Sequence, residues 1–208
     1  MTDQVIDRDR ISTILFDIGG VLVHLQGLPF RKEWLSGQHA GKEVLPFWIN
    51  SPVVKDFESG RIDVNTFAER FIMDTCLDVD SGTFLNHLLT WPNRLFDGVP
   101  QMLRELGSKY RLAALSNSNP LHWPRMMDEF GLKEMIPDVI SSHQIGVMKP
   151  DRQAFEIVLA KLGLIPEEVL FLDDLQVSVD NARALGMQAV KVKGVVGSVG
   201  LVADLKLI

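Results

Sequence analysis

Apolar residues run without a break over Thr13-Ile14-Leu15-Phe16 and stop at Asp17, and Gly19 and Gly20 follow within three residues. Such a run predicts a strand buried on both faces, and the glycines predict a tight turn after it. Val23 to Pro29 reads as an exit loop. From there to about Phe96 the spacing becomes helical. Trp34-Leu35 and Phe47-Trp48 are short apolar faces, broken at Gly41 and Pro46. Behind a capping Asp63, Val64, Phe67, Phe71 and Thr75 recur at three- and four-residue intervals. Phe84, Leu85, Leu88 and Leu89 mark another short face before Trp91-Pro92.

After Asp97 the pattern alternates between helix and strand. Val99, Met102, Leu103, Leu106 and Tyr110 share a helical face, and Leu112 to Leu115 is a strand ending at Ser116. A helix through Arg125 to Phe130 leads to a strand at Asp138 to Ser141. Pro150 and Asp151 start a helix carrying Phe155, Val158, Leu159 and Leu162 on one side. Val169 to Leu172 is a strand that ends in Asp173-Asp174. The next helix runs to about Leu185 and stops at Gly186, and Ala189 to Val192 is the last strand. Strands alternating with crossover helices predict an α/β fold with a doubly wound parallel sheet. The helical stretch is inserted after the first strand, so residues 25-95 are expected to form a helical cap. Residues 1-24 and 96-208 form the α/β core.

Composition narrows the classes. The chain has 208 residues, 46% of them apolar and 23% charged, which fits one globular domain or one with a sizeable insertion. A net charge of −6 offers no basic footprint for nucleic acid. The single Cys76 has no partner for an internal disulfide and belongs to no zinc-spaced cluster, which points to a reducing, cytoplasmic location and a small core residue. The first ten residues lack the apolar core of a signal peptide, and no apolar run approaches the roughly 18 residues of a membrane span. Oligomeric state is left open.

Three of the predicted strands end in polar side chains: Asp17, Ser116 and Asp173-Asp174. In a parallel sheet these ends meet along one edge, where ligands bind. Asp17 has a competing reading as a turn cap, and Asp173-Asp174 one as acids favoured at a helix N-terminus. Three crowded carboxylates repel unless a cation joins them, and Mg²⁺ is the common hard cation held by one or two carboxylates with substrate phosphate. Lys149, ahead of a helix start, supplies a fixed positive charge. Ser116 and the turn after it offer a hydroxyl and backbone N–H groups suited to phosphate oxygens.

The ordered set Asp17-Ile18-Gly19-Gly20-Val21-Leu22, Leu115-Ser116-Asn117, Lys149-Pro150 and Phe171-Leu172-Asp173-Asp174 resembles the four motifs of the haloacid dehalogenase (HAD) superfamily. The turn Phe57-Glu58-Ser59-Gly60 and Leu185-Gly186-Met187 resemble its branch of small-molecule phosphatases. Ser116 to His122 and Ser142 to Pro150 are most similar to bacterial α-D-glucose-1-phosphate phosphatases. The resemblance implies a Mg²⁺-dependent phosphatase acting on a small phosphorylated metabolite such as a sugar phosphate. Asp17 would be the nucleophile that forms an aspartyl-phosphate. Asp17, the Gly19 carbonyl, Asp174 and Asp173 would hold the metal. Ser116, Asn117 and Lys149 would bind the phosphoryl group. In the phosphatase pattern a second Asp, the general acid and base, stands two positions after the nucleophile; here that position is Gly19. Such help is typically worth about 10² to 10⁴-fold. A cap residue or a group of the substrate could supply the missing proton, His24 and His122 are candidates by position, and Ser178 stands where relatives often have Asn. A binding module without turnover is the alternative that Gly19 leaves open. A carbon–halogen hydrolase is the third, and the paired Asp173-Asp174 speaks against it.

Overall fold

The chain forms β1 (Thr13–Phe16), β2 (Val23–Leu25), α1 (Leu45–Ile49), α2 (Pro52–Glu58), α3 (Val64–Thr75), α4 (Ser81–Leu89), β3 (Pro92–Leu95) and α5 (Val99–Gly107). It continues through β4 (Arg111–Ser116), α6 (Leu132–Met135), β5 (Asp138–Ser141), α7 (Ser142–Ile145), α8 (Arg152–Leu162), β6 (Val169–Asp173), α9 (Gln176–Ala184) and β7 (Gln188–Lys191). These elements come from a computed structural model that describes residues 6–194, 200, 202, 203 and 207. Residues 1–5, part of the start read above as leader-free, and most of the Gly/Val-rich tail lie outside the described residues.

A strand with no polar residue on either face needs cover on both sides. β1 and β6 are buried along their whole length, and they lie within a five-stranded parallel sheet of order β5-β4-β1-β6-β7. Odd and even positions of the apolar runs part to opposite faces. Ile14, Phe16, Leu112, Ala114, Leu170 and Leu172 pack with Val99, Met102, Leu103 and Leu106 of α5. Leu15, Ala113, Leu115, Val169 and Phe171 pack with Phe155 and Val158 of α8 and Val179 and Ala182 of α9. The register sets Phe16 level with Ala114 on one side and Leu172 on the other. Asp17, Ser116 and Asp173 follow within two residues, so all three arrive at the carboxyl edge of the sheet.

Helices α1 to α4 build a third apolar cluster of their own around Phe30, Trp48, Phe57, Phe67, Phe71 and Phe84. Phe57 stacks on Phe67 with ring centroids 4.2 Å apart. Asp63 caps α3 by accepting from the N–H groups of Asn65 and Thr66, as the sequence predicts, and Asp80 caps α4 in the same way through Thr83.

Several local expectations are corrected. Val23–Leu25 is not part of a loop but pairs antiparallel with Pro92–Leu95, so the two passages into and out of the helical stretch form one ribbon. The partners are about seventy residues apart, and runs of three and four residues carry no readable period. Pro46 does not break a helix; it sits in the first turn of α1, where its missing N–H has no partner to lose. Asp151, rather than Pro150, opens α8, accepting from the Gln153 N–H at 2.9 Å. Arg125–Glu129 is a π-helical turn. Cys76 is not a core residue: it is half-buried at the C-terminus of α3, with φ 51° in the left-handed region.

Candidate active site

The sheet edge brings the expected acids together around one ammonium. Lys149 Nζ lies 2.8 Å from Asp17 Oδ1 and 2.7 Å from Asp173 Oδ2, and its side chain is 4% exposed. Asp17, Asp173 and Asp174 each place one carboxylate oxygen within 4.8 Å of the others. Fully ionised, three carboxylates exceed the one buried ammonium, and the exposed Lys191, which also acts on Asp174, offsets the excess only in part. The protonation preferences follow. Burial, and after it the charges of Asp173 and Asp174, lifts the Asp17 carboxyl to about 7 against the pull of Lys149. Burial and Asp173 likewise raise Asp174. Burial alone would lower Lys149, but Asp17 and Asp173 outweigh it, so the ammonium keeps its proton. A second, hard cation relieves this imbalance, and the all-oxygen donor set fits Mg²⁺.

Lys149 is held through its backbone by Asn117, the residue expected beside the phosphate. The Asn117 Nδ2 donates to the Lys149 carbonyl at 2.7 Å, and the Lys149 N–H donates to Asn117 Oδ1 at 2.8 Å. This reciprocal pair ties the end of β4 to the loop before α8. Ser116 is buried beside it, and among the described residues its hydroxyl makes only a long contact of 3.4 Å to the Asn117 carbonyl.

Asp17, Gly19, Ser116, Asn117, Lys149 and Asp174 line one cleft of about 350 Å³. Leu45, Trp48, Ile49 and Glu58 reach it from the helical stretch, and Leu25, Trp91, Met126 and Leu175 complete an apolar wall. Ser118 Oγ, Ser178 Oγ and Trp91 Nε1 belong to lining residues and are buried without a hydrogen-bond partner among the described residues.

Neither histidine fills the role expected by position. His24 is not among the lining residues; its ring stands edge-on to Phe96 at 5.4 Å. His122 does line the cleft, but both ring nitrogens are engaged, Nε2 by the Leu88 carbonyl at 2.8 Å and Nδ1 by Asn119 Nδ2 at 3.1 Å. Burial pushes its pKa down to about 4, so at neutrality it is an uncharged imidazole whose one N–H is given to the Leu88 carbonyl. A titratable group to which the sequence reading assigns no role is Glu58, in the turn from Phe57 to Gly60. It is buried, and burial, followed by the charge of Asp17, raises it to about 7.

The two glycines after Asp17 differ. Gly20 has φ +79°, and a Cβ there would stand 2.5 Å from Asp174 Oδ2. Among the described residues, a Cβ at Gly19 would meet only the side chain of Leu25, its Cδ1 at 3.6 Å. Gly20→Ala is therefore expected to cost about 1 to 3 kcal/mol, from the left-handed backbone and the displaced carboxylate together. Gly19→Ala has space and serves as the control. Denaturant unfolding of both variants checks this, and equal stabilities would contradict it.

Known proteins place these features. The sequence family described as haloacid dehalogenase-like hydrolase matches residues 11–186. The chain is 32% identical over 194 residues to the phosphatase MT3486 of Mycobacterium tuberculosis, covering 86% of each protein. It is 29% identical over 191 residues to an (S)-2-haloacid dehalogenase of Pseudomonas sp. (strain YL), covering 86% of this chain and 81% of that one. Its fold is shared with a HAD family enzyme of Bacteroides thetaiotaomicron, solved with magnesium and inorganic phosphate, at a TM-score of 0.74 and 22% identity, covering 88% of this chain and 94% of that one. A family match over most of the sequence, on a parallel sheet whose carboxyl edge gathers Asp17, Lys149, Asp173 and Asp174, means that the chain belongs to the haloacid dehalogenase-like hydrolases.

Proposed function

We propose that the protein is a Mg²⁺-dependent phosphatase that hydrolyses a small phosphorylated metabolite through an aspartyl-phosphate on Asp17. The observation that carries this reading is the excess of carboxylate over ammonium at the sheet edge, which suits a divalent cation with a phosphate dianion and leaves no such need in a dehalogenase. Likeness to the phosphatase of Mycobacterium tuberculosis supports it. Asp17, the Gly19 carbonyl and Asp174 would hold the metal, with Asp173 reaching it directly or through water. When bound, Mg²⁺ would neutralise phosphoryl oxygens and keep Asp17 ionised.

The chain's own groups divide the remaining work. Asp17 attacks phosphorus. Ser116 Oγ and the Asn117 backbone receive phosphoryl oxygens. Lys149 balances charge as it develops, and Asn117 holds the Lys149 backbone while it does so. The likeness of Ser116 to His122 to α-D-glucose-1-phosphate phosphatases makes sugar phosphates the first substrates to try. The apolar wall makes alkyl and aryl phosphates the second. Net charge and the acidic cleft support a small metabolite over nucleic acid as the partner, and the lone Cys76 supports a cytoplasmic location.

The test is phosphate release from sugar phosphates, nucleotides, alkyl phosphates and 4-nitrophenyl phosphate, with Mg²⁺ or with chelator. Release that disappears with chelator is expected. Folded protein that releases nothing from any of them, yet gains thermal stability from phosphate, would replace this reading with the non-catalytic binding module.

A further inference from the structure

In this family's phosphatase pattern the group that protonates the departing alcohol stands where this chain has Gly19, and neither His24 nor His122 replaces it. We propose that Glu58, at the end of α2, is the general acid and base of this site; the proposal rests on the phosphatase reading.

Four observations carry it. Glu58 is 9% exposed and lines the same cleft as Asp17, Gly19 and Lys149. Its carboxyl makes no hydrogen bond or ion pair among the described residues, whereas Asp17 and Asp173 are both engaged by Lys149. Its backbone is anchored to the phosphate side of the cleft. Ser142 Oγ donates to the Glu58 carbonyl at 2.6 Å while accepting from the Ser118 N–H at 3.0 Å. Two residues on, Gly60 lies so close to α7 that a Cβ would stand 2.4 Å from the His143 carbonyl oxygen. The turn from Glu58 to Gly60 is thus pressed onto the core.

Chemistry narrows what such a carboxyl can do. A permanently ionised, unpartnered carboxylate would repel the phosphate that the cleft is built to admit. Glu58 is also outside the trio of acids whose oxygens converge on one point. A carboxyl that keeps its proton until the phosphate has arrived avoids the repulsion, and burial favours that form. In the first half-reaction a bond forms between Asp17 Oδ and phosphorus. The bond from phosphorus to the leaving oxygen breaks, its electron pair stays on that oxygen, and the Glu58 proton moves to it, giving the alcohol. In the second, Glu58 carboxylate takes a proton from water as the water oxygen attacks phosphorus. The bond to Asp17 breaks with its pair returning to the carboxylate, so inorganic phosphate leaves and Glu58 is protonated again.

The experiment compares native protein, Glu58→Gln, Glu58→Asp and the double variant Gly19→Asp/Glu58→Gln on phosphate monoesters of graded leaving-group acidity, with thermal unfolding as the folding control. In Glu58→Gln, kcat/KM for the poorest leaving groups is expected to fall about 10²-fold or more, with less than about a fivefold change for 4-nitrophenyl phosphate. On that substrate kcat should still fall, with a burst of one nitrophenol per protein, because water now lacks its base. Glu58→Asp should retain part of the activity. The carboxyl restored beside Leu25 in the double variant should recover at least about tenfold of the loss on poor leaving groups. A uniform loss across the series, no loss, or no recovery in a folded double variant would overturn the role of Glu58 while leaving the phosphatase reading intact. No turnover of any monoester by native protein would remove the phosphatase reading, and this proposal with it.

Discussion

Asp17→Asn is expected to lower phosphate release by about 10⁵-fold or more, the order of loss when a covalent nucleophile is deleted, or roughly 7 kcal/mol of barrier. The amide cannot form the acyl phosphate, and Asp173 is not free to replace it. Asp173 is committed to Lys149 at 2.7 Å and to the Leu175 N–H at 2.7 Å, and Asp174 lies one residue further along the chain. The fold is expected to survive, because Lys149 keeps Asp173 as a partner when Asp17 is neutral. Phosphate release from the best native substrate, with thermal unfolding alongside, is the measurement. Activity within tenfold of native would mean that the reaction does not pass through Asp17.

Lys149→Met is expected to damage both stability and activity. Removing one member of a buried ion pair costs about 3 to 5 kcal/mol, because the charge left behind has lost its compensation; here two carboxylates lose it. The cost depends on pH, and the sign follows from the direction of the shift. A carboxyl raised in the folded state binds its proton there more tightly than in the unfolded chain. Folded protein therefore loses stability as pH rises from the unfolded value, 3.8 for Asp17, through the folded one. In the native metal-free protein that window closes near 7. Without the ammonium it extends upward. The gap in Tm between Lys149→Met and native should thus be small at pH 5, wide at pH 8, and narrower again on adding Mg²⁺. A gap that is the same at both pH values would show that the ion pairs are not what Lys149 contributes.

Much of this site is legible from sequence because its residues stand at the ends of continuous apolar runs. Such runs have one good solution, a strand inside a covered parallel sheet, and that solution sends Asp17, Ser116 and Asp173 to a shared edge without further information. Lys149 was legible from its place ahead of a helix. What stayed hidden depends on contacts between distant segments. The β2–β3 ribbon joins strands too short to show a period. Asn117 reads as one polar residue in a polar turn, and only the fold sets its amide against the backbone of residue 149. Glu58 is the strongest case. The turn from Phe57 to Gly60 carries a family resemblance, but only its packing under Ser142 and His143 makes Glu58 a buried acid at the cleft rather than a solvated one. The histidines failed in the opposite sense: position favoured them, but His122 has both nitrogens occupied and His24 lies outside the cleft.

The short helix α1 does two separate jobs with adjacent residues. Trp48 is packed into the aromatic cluster against Phe67 and Phe71, while Leu45 and Ile49, 43% and 65% exposed, face the cleft and belong to no core cluster. Exchanging Leu45 or Ile49 therefore alters the wall that a substrate meets without opening a cavity in the protein. Under the phosphatase reading, the choice of ester and the stability of the fold therefore rest on different side chains of one helix turn.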